Sequence, residues 1–285
     1  MIGAMLVLPF LDVVAKILGQ QEVPIIQIVW ARLVFGMTMT APFVLQSEGV
    51  RGLWPQRPYM HATRAVLLII ATGLFFWALK FQGIAETLAI FFVQPLIITL
   101  LSPFVLSEKV GPRRWFAVGV GFVGTMIIIR PGFQSLTPGV FMALGSGASI
   151  AIYMLLTRKI TAHEAPMASI FHTSLAGTVF TTIAVALVWH QPTPEQWGLF
   201  LLLGGIGTLG NYLIAKAYQV AEASLLAPLG YTEMIMAVFG GWYFFGDFPD
   251  VWTFAGVGIL IACAIYISYR ERVRKIVRAE VGEFL

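Results

Sequence analysis

The chain has 285 residues, of which 58% are hydrophobic and only 11% are charged, and its mean hydropathy is +0.84. Soluble domains carry about 25% charged residues, so a soluble fold of this length would have more apolar surface than it could bury. The composition therefore excludes a soluble globular protein and predicts an all-α integral membrane protein.

The cysteine content and the distribution of charge limit the kinds of site and partner that this membrane protein can have. The single cysteine, Cys263, lies in an apolar run, and one cysteine excludes an internal disulfide and a multi-cysteine metal site. The net charge of +4 comes mostly from basic residues in short gaps between apolar runs and in the C-terminal tail. That pattern is typical of membrane-protein loops. We expect membrane lipids as neighbours, no nucleic-acid partner and no cofactor.

Ten apolar runs are long enough to cross a bilayer, whose core of about 30 Å requires roughly 20 helical residues. Charged and turn-forming segments such as "HQPTPEQ" and "GDFPD" separate these runs. Connections this short leave no room for a domain outside the membrane. The predicted spans are residues 2–18, 24–45, 62–81, 85–106, 113–130, 137–158, 166–189, 195–217, 222–245 and 250–270.

Basic residues are distributed unevenly between the two sides of these spans. Thirteen of the 18 Lys and Arg residues lie in the even-numbered connections, at the span ends beside them or at the C-terminal end, and three lie in or beside the odd-numbered connections. Arg32 and Lys216 lie within spans. Because cytoplasmic loops carry the excess of Lys and Arg, both termini are predicted to be cytoplasmic.

The chain aligns with itself at an offset of 142 residues and, further along, at an offset of 137. The identities include Gly3 with Gly145, Pro24 with Pro166, Trp115 with Trp252 and Gly119 with Gly256. We interpret residues 1–132 and 133–270 as two five-helix repeats, followed by a basic cytoplasmic tail at 271–285. Because five is odd, the second repeat enters the membrane the opposite way. Inverted repeats of this kind recur in secondary transporters.

Three segments carry a resemblance to a known family. They are "QIVWARLVFG" in the second span, "FFVQPLIITLLSPFVLSEKVGPRRWFAVGVGFVGTMIIIRPG" in the fourth and fifth, and "YTEMIMAVFGGWYFFGDFPDVWTFAGVGILIACAIYI" in the ninth and tenth. Over nearly the whole chain the sequence resembles the EamA-type branch of the drug/metabolite transporter (DMT) superfamily. Within it, the sequence is most similar to the YddG-like amino-acid exporters. The resemblance implies a ten-helix transporter of small metabolites in the bacterial inner membrane.

Glycine patterns in this chain match a nucleotide-binding fingerprint in spacing only. "GVGFVG" at 119–124 and "GIGTLG" at 205–210 have the spacing G-x-G-x-x-G. That fingerprint requires a preceding strand and a loop that opens a helix, whereas each match lies inside an apolar run. Small residues allow membrane helices to approach closely, so we predict helix packing at both sites.

No catalytic constellation is visible in the sequence. His61, His163, His172 and His190 form neither an HExxH pair nor a Cys/His cluster, so no metal site is predicted. His172 alone lies inside a span, where it is more often packed or hydrogen-bonded than a proton carrier. We therefore expect that the protein is not an enzyme. The alternatives are a membrane-embedded enzyme, which would need a catalytic cluster at one face, and a lipid-binding protein, which would not need charges inside the membrane.

Three charged residues, Asp12, Lys16 and Arg32, lie within or beside the first two spans. Asp12 and Lys16 are four residues apart and share a helix face. At 1.5 Å per residue, Asp12 and Arg32 each lie about 10–12 Å below the same surface. A charge inside the bilayer costs at least about 2.5–3.5 kcal/mol unless it is paired or hydrated. We expect a structural or gating group of charges, and the sequence leaves both roles open.

Breaks in the fourth and ninth spans indicate a binding site. Pro95 lies near the centre of the fourth span, and "APLGYTE" interrupts the ninth with Pro228 and Gly230. Corresponding breaks in two repeats are the best sequence indicator of a transporter site. The residues predicted to line the substrate cavity are Asp12, Trp77, Gln94, Pro95, Tyr153, Asn211, Tyr212, Pro228, Tyr231 and Glu233.

A mixed aromatic and polar lining suits an amphiphilic metabolite. Together with the repeat and the resemblance, it predicts a secondary-type transporter that works by alternating access. We expect export of small metabolites, in particular amino acids including aromatic ones, by a monomer or a homodimer in the bacterial inner membrane.

Overall fold

The computed structural model describes residues 1–106, 112–130, 137–160, 164–220, 232–263 and 265–266. Within these ranges the chain forms helices and their connections, with no strand. A 3₁₀ turn, Val50–Leu53, lies between the second and third helices. The α-helices are α1 Ile2–Gln20, α2 Ile25–Glu48, α3 Pro58–Ala78, α4 Ile84–Phe91, α5 Gln94–Leu106, α6 Pro112–Ile129, α7 Pro138–Ile160, α8 Pro166–Val185, α9 Pro194–Val220, α10 Glu233–Phe245 and α11 Val251–Cys263.

Seven helices are long and apolar enough to cross a membrane, if α4 and α5 are taken together as Ile84–Val105. The other six are α1, α2, α3, α7, α8 and α9. Three shorter apolar helices, Val118–Ile129, Glu233–Phe245 and Val251–Cys263, lie at the fifth, ninth and tenth predicted spans. This all-helical architecture agrees with the predicted class, while the count of ten spans stays a prediction. The basic tail at 271–285 lies outside the described residues.

Proline and glycine mark where the helices begin and end. Proline is the first residue of α3, α6, α7, α8 and α9, a position where its missing N–H leaves no bond unmade. Gly49 after α2 and Gly246 after α10 have φ of 66° and 73°, which favours glycine. Asp250 caps α11, because its Oδ1 accepts a bond from the Thr253 N–H at 2.8 Å.

The fourth span is broken between α4 and α5, at the position indicated by Pro95. Proline lacks an N–H and its ring clashes with the carbonyl four residues earlier, here that of Phe91. The helix ends at Phe91 and resumes at Gln94. A Cβ added to Gly147 of α7 would lie 2.8 Å from the Phe91 oxygen. The break is therefore packed directly on α7.

The helices of the first half pack mainly on those of the second half. α1 packs on α9 and α10, α2 on α8 and α9, α3 on α7 and α8, and α4 on α7 and α10. If each of the first five spans is replaced by its counterpart among the last five, and the reverse, the same main pairs of packed helices result. For example, α7 packs on α3 and on α4–α5 just as α1 packs on α9 and α10. The two halves are thus interleaved and are not separate compact units.

Close glycine contacts explain the two glycine patterns. A Cβ on Gly256 of α11 would lie 2.6 Å from the Gly124 carbonyl oxygen of α6, and a Cβ on Gly124 would lie 3.1 Å from that of Gly256. A Cβ on Gly210 of α9 would lie 2.4 Å from the Leu8 side chain of α1. The prediction of helix packing is confirmed at these positions.

The bundle has two ends, each named here by one residue. The Arg64 end comprises the starts of α3 and α8, the end of α7 and the 3₁₀ turn. The Lys16 end comprises the ends of α1 and α3, the start of α4 and the residues after α10. The even-numbered connections lie at the Arg64 end as far as the structure describes them, so the excess of basic residues predicts that this end is cytoplasmic.

Candidate functional site

Three ionisable side chains from three helices are electrostatic neighbours inside the bundle. Asp12 of α1 is buried, while Arg32 of α2 and Glu233 of α10 are partly buried. Asp12 interacts electrostatically with both Arg32 and Glu233. We call these three residues the central charge cluster. It has two carboxyl groups and one guanidinium, contributed by both halves of the chain.

Arg32 is held by α3 and approached closely by α9. Its Nη1 donates a hydrogen bond to the Thr72 hydroxyl of α3 at 2.8 Å. A Cβ on Gly207 of α9 would lie 3.6 Å from Arg32 Nε, an ordinary contact distance, so α9 passes close to the guanidinium. Arg32 also interacts electrostatically with Tyr153 of α7. The described ion pairs do not include Asp12 with Arg32, so the two charges are neighbours without a direct contact.

Lys16 does not pair with Asp12, although the two share a helix face. Lys16 Nζ lies 2.5 Å from Asp247 Oδ2 and 4.7 Å from the centre of the Phe245 ring. Asp247 follows α10 in the second half, so a partner from outside α1 replaces the one four residues away. Arg130 and Asp250 form a second ion pair at the same end.

The Lys16 end contains a cavity of about 570 Å³. Cavities of roughly 300–1,000 Å³ are typical of sites for small organic ligands. Its lining combines apolar and aromatic carbon with both charges of the Lys16–Asp247 ion pair. The lining residues are Ala15, Lys16, Gly19, Gln20, Glu22, Phe76, Leu79, Lys80, Phe81, Gln82, Gly83 and Asp247. None of the residues predicted to line a substrate cavity is among them.

The remaining predicted cavity residues are distributed over several positions. Gln94 and Pro95 are partly buried at the α4–α5 break, and Asn211 and Tyr212 are partly buried on α9. Trp77 is 47% exposed, while its neighbour Phe76 lines the cavity at the Lys16 end. Pro228 and Tyr231 lie outside the described residues.

A buried arginine at the opposite end was missed by sequence reasoning. Arg64, near the start of the third predicted span, was counted with the basic residues of the adjoining connection. Because α3 begins at Pro58, Arg64 lies in the second turn of the helix and is 1% exposed. Its nitrogens donate to Ser169 Oγ at 2.8 Å, Thr157 Oγ1 at 3.2 Å and the Tyr153 hydroxyl at 3.3 Å. Proline is preferred as the first residue of a helix, so Pro58 could have shown from the sequence that Arg64 lies within α3.

Two histidines and a glutamate also meet at the Arg64 end. His61 Nε2 lies 3.0 Å from Glu164 Oε2, and the rings of His61 and His172 are 5.0 Å apart. His172 Nε2 is 2.8 Å from the Gly52 carbonyl oxygen. This confirms that His172 is packed and hydrogen-bonded. The separations along the chain are too large for spacing to have predicted the group.

Comparison with known proteins gives consistent results across nearly the whole chain. The EamA-like transporter family matches residues 1–130 and 137–269. An S-adenosylmethionine uptake transporter of Rickettsia bellii is 28% identical over 261 residues, covering 92% of this chain and 89% of the relative. Riboflavin transporters of Vibrio cholerae and Rhizobium johnstonii are 31% and 30% identical, covering 80% and 85% of this chain and 77% and 80% of the relatives.

A solved crystal structure has the same fold, with a TM-score of 0.63 at 17% identity, and the match covers 94% of this chain and 98% of the other. The named relatives are transporters, which agrees with the expectation of a non-enzyme. Their names give no support to the expected export of amino acids or to a specifically YddG-like assignment.

Proposed function

The chain belongs to the EamA-like transporter family, and we propose that it moves a cationic, ring-bearing metabolite of the S-adenosylmethionine class across the bacterial inner membrane by alternating access. The observation that carries this proposal is the central charge cluster of Asp12, Arg32 and Glu233. Ionisable groups inside a membrane bundle mark substrate and ion pathways, because their burial is costly without a charged partner.

The charges of S-adenosylmethionine complement this cluster. The molecule has one carboxylate and two cationic groups, an ammonium and a sulfonium, so it carries one net positive charge. Arg32 would receive the carboxylate, while Asp12 and Glu233 would face the two cationic groups. Substrate binding would thus supply the opposite charges that the buried groups require.

Riboflavin is the second candidate substrate, since two riboflavin transporters are at least 30% identical to this chain. Its ring system and ribityl hydroxyls are uncharged, so they would leave the excess carboxyl group of the central charge cluster unmatched. Amino acids remain the third candidate, resting on the resemblance to YddG-like exporters. A zwitterionic amino acid would match only one carboxyl group and the guanidinium.

Alternating access requires two exchangeable conformations, which inverted repeats supply. Two observations support such repeats here. The EamA-like family matches the chain twice, at residues 1–130 and 137–269. The main helix contacts also keep their pattern when the two halves are exchanged. In this mechanism the cavity at the Lys16 end serves as the entrance on one side of the membrane.

Transport by the purified protein in proteoliposomes tests the proposal. Labelled S-adenosylmethionine, riboflavin and a panel of aromatic and branched amino acids are compared, each with an excess of unlabelled competitor. We expect saturable transport of S-adenosylmethionine, and we expect excess riboflavin to inhibit it only weakly. Glu233→Gln and Arg32→Gln should each lower this transport about tenfold to a hundredfold, because each removes one charge-assisted bond.

Glu195→Gln is the matched control, because Glu195 is exposed at the start of α9, away from the central charge cluster. It should transport like the wild type. Transport of riboflavin or an amino acid without S-adenosylmethionine would overturn the substrate assignment. Wild-type rates in folded Glu233→Gln and Arg32→Gln proteins would remove the central charge cluster from the site.

A further inference from the structure

Three potential metal ligands from distant parts of the chain meet at the Arg64 end. His61 lies in the first turn of α3, Glu164 precedes α8, and His172 lies within α8. One donor atom of each lies within 4.8 Å of the other two. Their exposures are 1% for His61, 8% for the Glu164 side chain and 5% for His172, so all three side chains are buried.

Hydrogen bonding leaves a free lone pair on His172. Its Nε2 faces the Gly52 carbonyl oxygen at 2.8 Å, and a carbonyl only accepts, so Nε2 carries the proton. Nδ1 therefore presents a lone pair. Histidines that ligate metals usually donate their other ring N–H to a carbonyl or a carboxylate, as His172 does to Gly52.

Two buried acceptor atoms of this group lack a hydrogen-bond donor among the described residues. They are His172 Nδ1 and Glu164 Oε2. Oε2 lies 3.0 Å from His61 Nε2, but the bond of that nitrogen is directed to Oε1 at 3.2 Å. A buried polar group without a partner costs about 1–3 kcal/mol, so such groups are uncommon in native proteins. A bound cation would satisfy both atoms at once.

The geometry suits a borderline divalent ion. Zn²⁺ binds histidine nitrogen and carboxylate oxygen at about 2.0–2.2 Å in a tetrahedron, which places its ligand atoms roughly 3.3–3.6 Å apart. His61 Nε2 and Glu164 Oε2 already lie 3.0 Å apart, and the ligand atoms of all three residues lie within 4.8 Å of one another, so side-chain shifts are needed to reach tetrahedral distances. Two imidazoles and one carboxylate leave the fourth position to water.

Arg64 limits the affinity of this arrangement. Its Nη1 lies 3.5 Å from His61 Nδ1, so its positive charge opposes a bound cation. Metal binding to Nε2 also moves the imidazole proton to Nδ1, where it faces the Arg64 N–H group and lowers the affinity further. The other described groups around the guanidinium, the hydroxyls of Tyr153, Thr157 and Ser169, are neutral. Glu164 supplies the negative charge.

We propose that His61, Glu164 and His172 form a Zn²⁺ site of moderate affinity that links α3 to α8 and holds the Arg64 end closed. Metal binding does not depend on the identity of the substrate. Only the consequence for transport, a slower opening of the Arg64 end, rests on the proposed function.

Zn²⁺ binding to the full-length protein in detergent, after treatment with a chelator, tests the site by equilibrium dialysis and thermal unfolding. We expect about one equivalent of saturable Zn²⁺ per chain and a higher Tm with Zn²⁺. His172→Gln keeps a donor toward Gly52 and removes the Nδ1 lone pair, while Glu164→Gln removes the carboxylate. Each variant should weaken binding at least about tenfold.

His190→Gln is the matched control, because His190 is exposed at the Lys16 end. It should bind Zn²⁺ like the wild type. Equal binding by the wild type, His190→Gln, His172→Gln and Glu164→Gln would overturn the site, as would no saturable binding by the wild type. If one variant does not fold, the other decides. Zn²⁺ should slow transport by the wild type and not by His172→Gln, whereas unchanged wild-type transport would refute the closing role alone.

Discussion

The two ends of the bundle hold their charges in opposite ways. At the Arg64 end the guanidinium is 1% exposed and bonds to neutral hydroxyls on α7 and α8. At the Lys16 end, the side chains of the Lys16–Asp247 pair are 11% and 40% exposed, and those of the Arg130–Asp250 pair are 18% and 36% exposed. A cavity of about 570 Å³ adjoins the Lys16–Asp247 pair.

This difference indicates which end opens more easily. Exposed ion pairs contribute about 0.2–1 kcal/mol, because water competes for both charges. Removing one member of a buried charged group costs about 3–5 kcal/mol, because the groups left behind stay out of water. The Lys16 end is thus closed weakly and the Arg64 end firmly. In the proposed transport cycle, breaking the Arg64 contacts is the more costly step.

The test of membrane orientation has the largest expected effect, because a cysteine on one side of the membrane is labelled and a cysteine on the other side is not. In a Cys263→Ala background, Thr193→Cys lies at the Lys16 end and Arg57→Cys at the Arg64 end. A membrane-impermeant thiol reagent applied to intact cells should label the first and not the second, because the Arg64 end has the basic excess. Lysed cells, in which both should react, are the control. The reverse pattern would invert the assigned sides.

Replacing Arg64 should have the next largest effect. Arg64→Gln should lower the free energy of unfolding by about 3–5 kcal/mol, because it leaves the buried hydroxyls of Tyr153, Thr157 and Ser169 without their common donor. Chemical unfolding of the protein in detergent measures this loss. Arg57→Gln is the matched control, since Arg57 is exposed just before α3, and it should change stability little. Equal losses of unfolding free energy in the two variants would show that the buried Arg64 contributes no more to stability than the exposed Arg57.

Coupling within the central charge cluster should be intermediate. If Asp12 and Arg32 stabilise each other, the double variant Asp12→Asn/Arg32→Gln should be more stable than the sum of the single losses predicts. Coupling energies of neighbouring charges are about 0.5–3 kcal/mol. A double-mutant cycle from unfolding in detergent measures the coupling. Strictly additive losses of stability would show that the charges of Asp12 and Arg32 do not interact measurably.

The Lys16–Asp247 pair should have the smallest effect on stability. Lys16→Gln should lower the free energy of unfolding by about 0.2–1 kcal/mol, since Asp247 is well exposed. It should also speed the reaction of a cysteine at Ala15, in the cavity lining, with a soluble thiol reagent. Lys80→Gln is the control, because Lys80 lines the same cavity and is absent from the described ion pairs. A loss as large as that for Arg64→Gln would show that both ends are held equally firmly.

Local features of the sequence predicted much of the helical architecture. Hydropathy predicted apolar helices at all ten positions, because the bilayer requires about 20 apolar residues per span irrespective of neighbours. Pro95 predicted the break in the fourth span, because the missing N–H and the ring clash act within one turn. The glycine patterns predicted close helix packing, because only a missing side chain lets two backbones touch.

The partners of the charged residues were decided by the tertiary structure alone. Lys16 bonds to a residue 231 positions away, and His61 to one 103 positions away. Trp77 is 47% exposed while its neighbour Phe76 lines the cavity at the Lys16 end, because the rotation of α3 about its axis is set by packing. The sequence by itself determined that charges lie within an apolar bundle. Which charges meet depended on how the two halves interleave, since contacts between distant helices are set by the packing of their surfaces.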